Sequence, residues 1–107
     1  MSRWIPVALI SDCPEGECIE RIVEGRVIAL AHTLNGWYAV DGVCAHQGGP
    51  LGNGTLCQTL LTCPWHGWQF DVATGQNRLS SAVRQQVWEV RQDDEQVYVD
   101  FGEYPEG

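Results

Sequence analysis

The sequence predicts an all-β domain. Short runs of β-forming residues recur along it, turn residues separate them, and Asn35-Gly36 lies between two apolar runs as a strong tight-hairpin signal. A length of 107 residues suits one domain, spanning 1–107.

Taken in order, the first run is 4–10, where Pro6 lacks an N–H and so belongs on a sheet edge. The runs 18–23 and 26–31 are joined through Glu24-Gly25, a weaker hairpin signal, and 37–41 follows Asn35-Gly36. Two further runs, 60–62 and 68–72, lie within a long glycine-rich stretch. Over 79–92 two periods compete, because Leu79, Ala82, Val83, Val87 and Val90 also fit helical spacing. The Val87-Trp88 pair and the turn-like Asp93-Asp94-Glu95 favour a strand at 87–91, paired with a last one at 96–101. Residues 102–107 read as a short mobile tail.

The stretch 42–75 reads as a metal-binding lobe inserted between these strands. It holds Cys44-Ala45-His46 and Cys63-Pro64-Trp65-His66, separated by sixteen residues. Loops of that length without structure of their own are usually functional or disordered, and the paired ligands favour function. The runs Gly48-Gly49-Pro50 and Gly52-Asn53-Gly54 let backbone pass close to a metal and aim amides at its sulfides. By type alone, two thiolates and two imidazoles leave zinc open. Spacing argues against it, since each cysteine here precedes a histidine at one or two intervening residues instead of standing near another cysteine. Two matched half-sites suit a two-iron cluster, Cys44 and Cys63 on one iron and His46 and His66 on the other.

With these residues the chain resembles the Rieske [2Fe-2S] family, whose pattern is Cys-x-His, about sixteen residues, then Cys-x-x-His. The match runs on through Cys63-Pro-Trp-His-Gly-Trp-Gln-Phe70-Asp-Val-Ala-Thr-Gly75, and 37–41 and 96–100 look like strands of Rieske ferredoxins. The resemblance implies an antiparallel β-sandwich carrying a cluster-binding lobe. It also implies one [2Fe-2S] cluster held by Cys44, His46, Cys63 and His66, with the histidines near solvent as the electron entry and exit edge. Two ferric ions set against two sulfides and two thiolates leave the oxidised cluster neutral. Imidazoles in place of two further thiolates make electron entry easier than at a four-cysteine cluster.

High-potential Rieske proteins carry two extra loop cysteines joined by a disulfide, and the matching positions here are Gly49 and Trp65. They also place a Ser and a Tyr hydroxyl on cluster sulfurs, where this chain has Trp68 and Phe70. Losing those donors disfavours the reduced state, which points to the low-potential, ferredoxin-type branch. Trp65 and Trp68 read as cover for the cluster, and Gln47 as a surface residue. Many relatives follow the Thr-Gly turn with a proline-rich covering loop, whereas 76–86 contains no proline.

Composition bounds the partners. Six basic against 14 acidic residues give a net charge of −8, which disfavours nucleic acid and anionic membrane. No Asp, Glu, Lys or Arg falls within 42–70, so the acids belong to the rest of the fold, where they read equally as a solvated surface that keeps the protein soluble and as a patch that steers approach to a basic partner surface. There is no apolar run long enough to span a membrane and no signal-peptide core at the N-terminus, which suggests a cytoplasmic protein. Cys13, Cys18 and Cys57, an odd number, read as free thiols. Cys13 and Cys18 form at most a weak second metal or redox motif.

The function implied is that of a one-electron carrier without its own substrate site, between a flavin-dependent reductase and a terminal oxygenase. The alternative is the small Rieske-like subunit bound to the large chain of an NAD(P)H-dependent nitrite reductase. An oxygenase catalytic chain needs two further histidines, and only His32 remains. Nothing in the residues specifically supports a redox or iron sensor.

Overall fold

The structure is a computed structural model and describes residues 2–44, 48–65, 67–80 and 82–102. Its strands are β1 (Trp4–Leu9), β2 (Cys18–Val23), β3 (Arg26–Thr33), β4 (Gly36–Asp41), β5 (Thr55–Cys57), β6 (Leu60–Thr62), β7 (Gln69–Asp71), β8 (Val87–Asp93) and β9 (Gln96–Asp100). All pairings between them are antiparallel. One sheet has the order β1-β9-β8-β4-β3-β2, and its two edge strands touch, so it curls towards closure. The other is the small sheet β5-β6-β7 of the inserted lobe.

Pro6 sits on an edge strand, as its missing N–H requires, and the register of β1 slips between Pro6 and Ala8. Both hairpin signals mark two-residue turns. Glu24 and Gly25 both take left-handed backbone, φ 54° and 76°, the pattern of a two-residue primed turn. Between β3 and β4 the loop residues are Leu34 and Asn35, with Gly36 already paired to Thr33. There the Thr33 hydroxyl ties the turn by donating to the Gly36 carbonyl at 2.9 Å and accepting the Asn35 N–H at 3.1 Å.

Alternation along β3 builds two cores from one strand. Ile28 and Leu30 join Val7, Cys13, Trp37, Ala39, Val97 and Val99 inside the curled sheet. Ala29 and Ala31 face the lobe, with Val40, Leu51, Leu61, Phe70, Val72, Cys44 and Cys63. Small side chains on that face allow the lobe to approach closely, and burying Phe70, Leu51 and Leu61 contributes about 1.5–3 kcal/mol each.

The competition over 79–92 resolves in favour of strand at β8, whose Val87 and Trp88 pair with Val40 and Ala39. Leu79 and Ala82 are exposed, so the helical spacing marks no buried face. The start of the expected tail is instead tied down, since the Gly102 N–H donates to Asp100 Oδ1 and its carbonyl accepts from Arg3 Nε. The remaining tail residues, 103–107, lie outside the described residues.

Candidate metal centre

Each predicted cysteine ligand opens a loop by the same backbone device. The Cys44 N–H donates to the Gly49 carbonyl at 2.9 Å, and the Cys63 N–H to the Trp68 carbonyl at 2.7 Å, each reaching five residues ahead. Outside these closures the first loop is pinned by the Val43–Pro50 bridge, and the second by the Thr62–Gln69 pair of β6 and β7. The two loops face each other. A Cβ built on Gly49 would lie 2.8 Å from Cys63 Sγ and 3.1 Å from Trp65 Cβ, so only glycine lets them meet.

Cys44 is 3% exposed and Cys63 1%, and both are buried in the same cluster, with the Cys44 thiol near enough to act on that of Cys63. Burial pushes the Cys63 thiol above its ordinary value, the Trp65 N–H opposes that shift, and the Cys44 thiol beside it adds to it. Two thiolates this close in an apolar setting need a cation between them. Their burial and donor type fit a thiolate-bound iron. His46 and His66, with Ala45 and Gln47, lie outside the described residues. Phe70 is fully buried in the same cluster as both cysteines, with Trp68 packed against it. Trp65 stands half exposed at the loop tip.

The other sulfur candidates do different work. Cys13 Sγ donates to the Glu17 carbonyl at 3.3 Å, and burial raises its pKa. Cys18 Sγ donates to the carbonyls of Gly52 and Gly54 at 3.3 and 3.4 Å, and burial pushes it up to about 11. Both are protonated donors, and Cys18 fastens β2 to the lobe. His32 stacks on Trp37 at 3.9 Å with Nδ1 2.8 Å from the Cys13 carbonyl, within the other core.

One positioning residue has no signal in the sequence. Gln85 is buried, and its Nε2 donates to the carbonyls of Asp41, at 2.8 Å, and Val43, at 2.7 Å. Its own N–H donates to the Gly75 carbonyl at 2.6 Å. It thus joins the end of β4, the residue preceding Cys44 and the close of the Thr74-Gly75 turn. The proline-free segment 76–86 is held by hydrogen bonds of this kind.

The family model of the Rieske [2Fe-2S] domain matches residues 3–98. The ferredoxin component of the naphthalene 1,2-dioxygenase system of Pseudomonas aeruginosa is 31% identical over 101 residues, 92% of this chain and 96% of that protein. A chain in the complex of reduced oxygenase and oxidized ferredoxin in carbazole 1,9a-dioxygenase superposes with a TM-score of 0.82 at 30% identity, covering 96% of this chain and 97% of that one. A protein of Mycobacterium tuberculosis described as an NADH-dependent nitrite reductase small subunit shares the fold, with a TM-score of 0.87 at 16% identity over 97% and 99% of the two chains. Paired cysteine loops of this kind, inside a match that runs nearly end to end, place the chain in the Rieske [2Fe-2S] domain family.

Proposed function

We propose that this protein is a Rieske ferredoxin that passes single electrons from a flavin-dependent reductase to a terminal oxygenase. Its Rieske-type cluster would be held by Cys44 and Cys63 on one iron and His46 and His66 on the other. The observation that carries the ligand assignment is the pair of matched loops, which bring two buried thiols near each other on facing turns. When bound, the cluster supplies one-electron chemistry. The chain's part is to keep water from the thiolates with Leu61, Phe70 and Val72, to fix both loops by backbone closure, and to leave the loop tip accessible at Trp65.

Sequence similarity to ferredoxin components across most of the chain supports the carrier over the nitrite reductase subunit, with which the likeness is one of fold. A cytoplasmic location is part of the proposal, and among the described residues no helix is long and apolar enough to cross a membrane.

The test is chemical and spectroscopic. Protein purified without oxygen should contain two irons and two acid-labile sulfides per chain, give the electron-spin-resonance signal of a mixed Cys/His cluster on reduction, and accept one electron from a ferredoxin reductase. Cys44→Ser or His66→Ala should abolish the signal. Stoichiometric zinc without labile sulfide would sink the ligand assignment, and tight copurification with a sirohaem-containing chain would replace the free carrier by the subunit.

A further inference from the structure

Formal charge is divided unevenly along the chain. Within 42–88 stand one acid, Asp71, and two arginines, Arg78 and Arg84, a balance of +1, while the remaining 13 acids and four arginines give −9. The fold places the two arginines on the lobe. Asn77 bridges Phe70, the Arg78 N–H donates to the Gln69 carbonyl at 3.0 Å, and its guanidinium reaches Gln69 Oε1 at 3.1 Å. Arg84 donates to the Thr74 carbonyl at 2.9 Å. Among the described residues neither arginine meets a carboxylate, and Asp71 accepts instead from the Ala73 N–H.

Beside Arg78 the chain exposes an apolar side chain deliberately placed. The Asn77 side-chain oxygen accepts the N–H groups of Leu79 and Ser80, at 2.9 and 3.0 Å, and this turn leaves Leu79 94% exposed. Leu79 lines a groove of about 340 Å³ with Gly67, Trp68, Gln69, Asn77 and Ser80, next to the second cysteine loop. Trp65 on that loop is 49% exposed. A leucine held outward by a fixed turn contributes nothing to its own core, and apolar surface rimmed by uncompensated charge is the composition of a docking site.

We propose that Trp65, this groove and Leu79, with Arg78 beside them and Arg84 carried on the same lobe, form the docking surface for the redox partner, and that the partner presents an apolar centre surrounded by carboxylates. The inference rests on the electron-carrier reading and reverses the expectation of a basic partner. The acids Asp93, at the end of β8, and Asp94 and Glu95, in the turn to β9, lie beside Leu9 and Ile10 at the edge of the larger sheet. A molecule polarised in this way turns its lobe, and not its body, towards an acidic surface.

The test uses cluster-loaded protein, reduced chemically and mixed by stopped flow with plastocyanin, an acidic one-electron acceptor, or cytochrome c, a basic one. Arg78→Glu with Arg84→Glu should slow plastocyanin reduction about tenfold at low salt, with the loss shrinking as ionic strength rises, and should speed cytochrome c. Asp93→Asn with Asp94→Asn should change the plastocyanin rate less than about twofold. Leu79→Ser should slow it at every ionic strength. A response to the aspartate pair half as large and opposite in direction, in proportion to the charge changed, would show that net charge alone governs approach; that result, or no response to the arginine reversals, would overturn the docking surface. A cluster that does not cycle by one electron would overturn the carrier reading itself.

Discussion

Gln85 shows how much one buried amide can hold. Gln85→Leu keeps the volume but strands the carbonyls of Asp41 and Val43 without their donor, at a cost of about 3 kcal/mol. Thermal unfolding should register that loss, and because Val43 precedes Cys44, the variant should also lose its visible absorbance faster when iron is chelated. The cysteines differ as sharply. Cys57 is exposed, whereas Cys18 is a thiol with a pKa of about 11 and so carries little thiolate at pH 8. Iodoacetamide at pH 8 should therefore modify Cys57 first in the loaded protein, as read by peptide mass mapping, and rapid labelling of Cys18 would contradict its contact with Gly52 and Gly54. The ligand pairs could be read from the sequence because the motif is local. Gln85 and Cys18 could not, since their partners are backbone carbonyls 34 to 44 residues away.

At the scale of elements, β5 went unread because Thr55-Leu56-Cys57, unlike the equally short Leu60-Leu61-Thr62, has two exposed residues around a single half-buried leucine and shows no apolar run, so it exists only through its pairing with β6. The strands of the larger sheet were legible, each being long enough to show its own pattern, whereas segment 76–86 was not. Over 79–92 the apolar spacing also fitted a helix; in the structure the side-chain turn at Asn77 shapes the approach to 79, and the strand favoured for the second half forms by pairing with β4. The closing strand offers a test through pH. Asp100 Oδ1 accepts the N–H groups of Arg3 and Gly102, which hold its carboxyl below its usual value. A depressed carboxyl stabilises the fold above its unfolded pKa, and that contribution disappears as pH falls through the folded one. Asp100→Asn should thus lower the urea midpoint at neutral pH, and the gap to the parent should close in acid. A gap independent of pH would mean that the amide loses only hydrogen-bond geometry.

Across the whole molecule, β3 serves as a party wall, with one core on each side of a single strand. Damage to either face should reach the other. Ala31→Leu, which overfills the lobe face, should weaken cluster retention and lower the melting temperature together, with a stability loss of about 1–3 kcal/mol. Calorimetry of the loaded protein should show one transition, and two separate ones would mean that the lobe unfolds independently of the body. The nearness of Gly49 to Trp65 has an evolutionary meaning. The 3.1 Å between the Cβ positions falls a few tenths of an ångström short of the spacing that a disulfide spans, and these are the places where high-potential relatives carry their bridged cysteines. A Cβ at 49 would also fall 2.8 Å from Cys63 Sγ, so such a staple would force the loops apart; here each loop is closed by its own backbone hydrogen bond, and a glycine in place of a covalent bond lets the two stand close.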